Sequence, residues 1–153
     1  MSGYKLNWPQ HPLFADLSQA HIDMLARAAA RESFGPRELI FQEGHEADKF
    51  YLITAGNVAV EIFAHDRGPV TIQTVGPGEI LGWSWLVEPY RWHFDAQAIL
   101  PTEAIVFDAV IVRDIFQRHP GLGYTMMKRF LPIVVERLTA TRLQLLDVYH
   151  VHA

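Results

Sequence analysis

Between residues 38 and 108 the chain breaks into short runs rich in Val, Ile, Phe, Tyr and Thr: ELIFQ, KFYLITA, NVAVEIFA, VTIQTV and AIVFDA. Side chains of this kind fit a pleated, half-buried surface. The segments between them, EGHEAD, AGN, HDRGP and GPGE, carry the Gly, Asn, Asp and Pro that tight turns need. Strands this short and this closely spaced point to a sandwich, a barrel or a jelly roll. In NVAVEIF the alternation is clean, with Val58, Val60 and Ile62 on one face.

The flanks follow a different period. Residues 12–31, PLFADLSQAHIDMLARAAAR, predict a helix: Leu17, Ile22, Leu25 and Ala29 recur at helical spacing, and Ser18 is placed to cap it. Gly35-Pro36 then breaks the pattern. VIVRDIFQRH predicts a short helix from Val110, whose Arg113, Asp114 and Arg118 read as a solvated face. After His119-Pro120-Gly121, the segment 123–151 predicts a long helix.

Along that long helix Met127, Leu131, Val134, Leu138, Thr141, Leu145 and Val148 advance by alternating steps of four and three. A period of 3.5 is the seam of a two-helix coiled coil, so it predicts a homodimer. Packing of the helix on its own domain is the alternative. Glu136, Arg137, Arg142 and Asp147 flank the seam and are placed to set its register, and Pro132 predicts a kink near its start. The chain thus divides into 1–118, an N-terminal helix plus a strand-rich roll, and 119–153, a dimerisation helix. No predicted element follows that helix to build a helix-turn-helix, and Met1 and YHVHA read as natural termini of a stand-alone protein.

Composition narrows the function. Half of the 153 residues are hydrophobic and a fifth are charged, which suits one folded domain with its own core. There are no cysteines, which excludes disulfides, thiolate catalysis and Cys-ligated metal, and suits a cytoplasmic protein. No apolar run is long enough to cross a membrane, and MSGYKLNWPQH lacks the order of a signal peptide. A net charge of −4 argues against nucleic-acid binding by this chain alone. A cupin-like enzyme would need a His-x-His with a Glu and a further His on its strands. Here His45 and His65 fall in turns and His93 stands alone, so no catalytic or metal site is expected. His150 and His152, at the chain end, lack a third ligand.

The stretch GPRELIFQEGHEADKFYLITAGNVAVEIF resembles the cyclic nucleotide-binding domain family, which includes the sensory halves of Crp/Fnr regulators. The match runs through Leu39–Ile40–Phe41, Glu43–Gly44, Asp48, Tyr51–Leu52–Ile53, Gly56 and Val58, and Val75-Gly76-Pro77-Gly78-Glu79 with Gly82 is similar to the entrance of the family's phosphate-binding cassette. The resemblance covers nearly the whole chain. It implies a mainly β fold: a jelly roll (double-stranded β-helix) with an N-terminal helix and a long C-terminal helix. It also implies a regulatory sensor module without enzymatic activity, for which cyclic AMP or cyclic GMP would be the ligand. Reading as the sensory part of a longer Crp/Fnr transcription regulator is an alternative.

Aligned without a gap, the cassette of this chain is Gly82, Trp83, Ser84 and Trp85, continuing to Arg91, Trp92, His93 and Asp95. The family's ribose-binding glutamate falls at Trp83, its phosphate-binding arginine at Trp92, and its phosphate-holding Thr or Ser at Asp95, which would repel the anion. Arg91 is one residue out of register, and Glu79 falls where the family has a turn residue. Losing two charge-assisted bonds would weaken cyclic nucleotide binding by about two to four powers of ten. The three tryptophans either plug the pocket or line it for a different, unidentified small molecule. Arg91 and His93 share one side of an extended segment, opposite Trp92, and either bind an anion or pair with Glu88 or Asp95. Signalling would then pass through the long helix to a partner protein, or, in the limit, the dimer is a scaffold that binds nothing.

Overall fold

The computed structural model describes residues 7–150, with side chains described as far as residue 147. A 3-10 turn at Trp8–Gln10 leads into α1 (Gln19–Ala26). Eight strands follow: β1 (Ala29–Phe34), β2 (Leu39–Phe41), β3 (Lys49–Ala55), β4 (Val58–Ala64), β5 (Gly68–Val75), β6 (Ile80–Leu81), β7 (Asp95–Ala98) and β8 (Thr102–Asp108). The described chain ends in α2 (Ala109–Arg118) and α3 (Pro120–His150). The strands form two antiparallel sheets, ordered β1-β8-β3-β6 and β2-β7-β4-β5. Apart from the β4–β5 hairpin, sequence neighbours fall in different sheets, which is how a jelly roll winds. No described helix is long and apolar enough to cross a membrane.

The core lies between the sheets, where β3 contributes Phe50, Tyr51, Leu52 and Ile53 and β8 contributes Ala104 to Phe107. Val58 and Val60 of β4 point inward as their alternation predicts, while Ile62 is half-buried beyond a register shift at Val60/Glu61. Gly56, at φ +93°, turns the chain between β3 and β4. A Cβ there would come within 2.4 Å of the Pro101 carbonyl, so only glycine fits.

The helix expected over 12–31 is shorter than its pattern. Its cap is where the sequence puts it, with Ser18 Oγ accepting the His21 N–H at 3.1 Å. The helix ends at Ala26, however, and Ala29–Phe34 is a strand paired residue for residue with β8. AARESF has no apolar alternation, and its middle residues stay exposed. The hydrogen-bonding edge of β8 decides its conformation, overriding the helix preference of its alanines. Pro12 to Asp16 forms turns that drop Leu13 and Phe14 into the core.

Helix α3 has two apolar faces. Leu122, Met126 and Phe130 are buried against the roll. Of the heptad seam, Met127, Leu131 and Leu138 are exposed to solvent, and Val134, Thr141 and Leu145 are half-exposed. Val148 lies beyond the described side chains, as does the His150 and His152 pair. Pro132 lies within the helix without ending it. Arg137 does not flank the seam as expected. It is 5% exposed and packs into the roll, about four turns along the buried stripe from Leu122.

Candidate functional site

The cassette segment runs from Gly82 to Asp95. Its backbone is pinned to the turn between β2 and β3: Gly44 N–H donates to Trp92 O at 2.9 Å, Trp92 N–H to His45 O at 3.0 Å, and Glu46 bridges to Arg91. In such an extended pairing, side chains alternate. Trp92 therefore turns inward while Arg91 and His93 turn out to solvent.

Inside, the Trp92 ring lies flat on Phe41, with centroids 3.7 Å apart and planes 7° from parallel. Its edge sits over Gly82, where a Cβ would come within 3.0 Å of the indole. Gly82 has φ +99°, so both conformation and space call for glycine. What remains between Gly82, Trp83, Phe94 and Arg137 is a cavity of about 10 Å³. A single buried water already needs about 10–15 Å³.

The remaining cassette residues are occupied by neighbours within the chain. Asp95 Oδ1 accepts the Glu43 N–H at 2.7 Å and so closes the β2–β3 turn. Glu79 closes its own turn by accepting the Gly76 N–H at 2.7 Å. Arg91 donates to the Gly44 carbonyl at 3.3 Å, and His93 Nδ1 lies 2.8 Å from Ser84 Oγ, with its ring stacked on Trp83 at 4.9 Å. The expected pairing of Arg91 and His93 with Glu88 or Asp95 is therefore not what the fold selects. A backbone carbonyl and a buried serine hydroxyl lie closer.

Two of the three tryptophans border the cassette pocket, Trp92 as its filling and half-buried Trp83 at its edge. Trp85 does not. It is fully buried in the core, stacked on Phe50 at 4.6 Å and edge-on to Phe130 at 5.2 Å.

The one cation in the pocket wall comes from α3, and the sequence did not point to it. Arg137 donates to the carbonyl of Ile80, on the strand that leads into Gly82. Its Nε is buried without a partner among the described residues. Burial pulls the guanidinium below its ordinary pKa, partly offset by Glu79 and Glu136. Among the described residues the one ion pair is Arg118 with Asp114, 3.0 Å apart on the exposed face of α2, so Arg137 has no counter-ion.

A two-sheet roll of this winding, with a glycine-turned cassette backed by a C-terminal helix, is a nucleotide-sensor architecture. The family model for the cyclic nucleotide-binding domain matches residues 31–119, and the chain belongs to that family. A solved protein of Geobacter metallireducens named for cyclic nucleotide binding superposes with a TM-score of 0.75 at 27% identity, over 86% of this chain and 95% of its own. A cyclic nucleotide-binding-like protein of Brucella abortus is 32% identical, with a TM-score of 0.58 over 72% of this chain and 94% of its own. A curated protein of Rhodopseudomonas palustris named as a potassium channel is 24% identical over 121 residues, 77% of this chain. The chain spans 29% of that relative's length.

Proposed function

We propose that this chain is a regulatory module whose cyclic-nucleotide cassette is closed by its own indole, and which works as a dimer through α3. The observation that carries this reading is Trp92 stacked on Phe41 above Gly82, with about 10 Å³ left over. A cyclic nucleotide would have to displace that stack. It would then meet Trp83 where the family has a carboxylate for the ribose.

The outer face of α3 supports the dimer. Met127, Leu131 and Leu138 recur at coiled-coil spacing and are 40%, 57% and 55% exposed in the isolated chain. Side chains of this size pair across a two-helix seam and lose that exposure. The buried face of the same helix holds Phe130 edge-on to Trp85 and Arg137 on the Ile80 carbonyl, so a shift of the cassette would press on the helix. A change at the roll would reach a partner protein along α3, in the cytoplasm, without catalysis by this chain.

The test is thermal unfolding with millimolar cyclic AMP and cyclic GMP. A ligand at a hundredfold its dissociation constant raises the midpoint of a chain this size by roughly 5–10 °C. No shift is expected from either nucleotide. A shift of that size would show that Trp92 yields to the ligand and would overturn the closed-cassette reading.

A further inference from the structure

Outside the cassette, a groove of about 350 Å³ opens between the Ser84–Leu86 turn, the outer face of α2 and the first two turns of α3. Four of its walls are aromatic: Trp85, Tyr90, Phe116 and Tyr124. None of its lining residues is acidic, in a chain with more carboxylates than basic groups.

Two features make this groove attractive to negative charge. Arg113 lies on its wall and is held rigid, with Nη1 donating to Trp85 O at 2.8 Å and the guanidinium 3.9 Å from the Tyr90 ring centroid. It forms no ion pair among the described residues, so its other donors face no carboxylate. The sequence reading placed Arg113 on a solvated face, whereas the fold seats it against Trp85. Second, α3 starts here at Pro120 with no acidic residue in its first turn, so the positive end of its dipole is unneutralised.

We propose that this groove is an effector site for a small planar organic acid: the ring packs among the aromatic walls, and the carboxylate takes Arg113 and the N-terminal end of α3. The proposal deepens the sensor reading by naming where an effector enters once the cassette is closed. It sits at the α2–α3 junction, where a bound molecule can bias the direction of α3. The groove's volume lies in the range of small-molecule sites.

Nitrogen-edited NMR of the whole chain, titrated with salicylate and then with neutral salicylamide, tests it. Saturable shifts of the Trp85 indole N–H and the Gly121 and Gly123 amides are expected with salicylate. Binding of salicylamide should be at least about tenfold weaker, the cost of a charge-assisted bond. Gln117→Glu puts a carboxylate at the exposed rim and should abolish salicylate binding while the unfolding midpoint stays put. Arg113→Gln should weaken it about tenfold or more. Equal binding of acid and amide, retention in Gln117→Glu, shifts confined to Gly82 and Trp92, or no shifts at millimolar acid would each overturn the proposal. So would groove shifts that follow protein concentration alone, because a second copy would then be the occupant. Failure of the closed cassette reads separately, as a response of Gly82 and Trp92 to cyclic nucleotide.

Discussion

Trp92 and Leu131 are both large apolar side chains near the C-terminal helix, and the fold treats them oppositely. Trp92 is 5% exposed and stacked flat on Phe41, while Leu131 is 57% exposed on the outer face of α3. The cassette, which in this family receives a ligand from outside, is satisfied from within. The helix face is left unsatisfied by its own domain. The difference leaves the exposed apolar area on the helix side of the molecule. Apolar area is stabilised wherever it leaves water, and only one of these two regions still has area to give up.

The sharpest way to break that comparison is to truncate both residues. Trp92→Ala removes a packed indole and leaves a cavity, so a loss of about 3–5 kcal/mol is expected in chemical denaturation. Leu131→Ala should cost a monomer less than about 0.5 kcal/mol. A small loss at Trp92 would mean that the cassette is loosely filled and open to ligand. Charging the outer face comes next. Leu131→Glu with Leu138→Glu should weaken self-association by about a hundredfold or more in sedimentation, since it places like charges in the seam, and should leave the fold intact. An unchanged sedimentation coefficient would show that α3 pairs through other residues or not at all.

Arg137 shows how far the sequence could be read. The roll was legible because ELIFQ, KFYLITA and NVAVEIFA supply β-branched and aromatic residues at strand spacing. Strands β1, β6 and β7 were not, because AARESF, IL and DAQA are short or alanine-rich and take their conformation from their partners. In β7 the buried positions are Ala96 and Ala98, too small to signal a core. The inward turn of Trp92 was legible from alternation. Whether the tryptophans plug the pocket or line it was left open, because the choice depends on Phe41 from a distant strand. The heptad seam places Arg137 beside a dimer contact. A second stripe, Leu122, Met126, Phe130 and Ile133, puts it against the roll instead, and that stripe was masked by the stronger one.

That buried guanidinium gives a smaller expected effect. Among the described residues it has no counter-ion and its Nε has no partner, so its desolvation is poorly offset. Arg137→Met keeps the stem and removes the charge, giving up the bond to Ile80 O. A gain of about 1 kcal/mol is expected in chemical denaturation. A loss would show that an acceptor, such as a bound anion, compensates the charge in solution.

The mildest effect belongs to Tyr51, which links the two sheets next to the cassette. Its ring lies 6.2 Å from Phe41, the residue under Trp92, and 6.1 Å from Phe34. Burial first, then the charges of Glu32 and Asp48, hold its hydroxyl well above the ordinary tyrosine range. The unfolded chain releases this proton near pH 10, while the folded chain keeps it. Tyr51 thus adds stability that is fully present below about pH 10 and is lost as pH rises through the folded value. Stability should be flat with respect to this group from neutrality to about pH 9 and fall above it. Tyr51→Phe should flatten that fall while leaving the carboxylate-driven behaviour at low pH unchanged. If the two proteins lose stability in parallel above pH 10, the Tyr51 hydroxyl is reached by water. The aromatic stack from Tyr51 through Phe41 to Trp92 would then be open, and the cassette no longer the sealed half of the comparison.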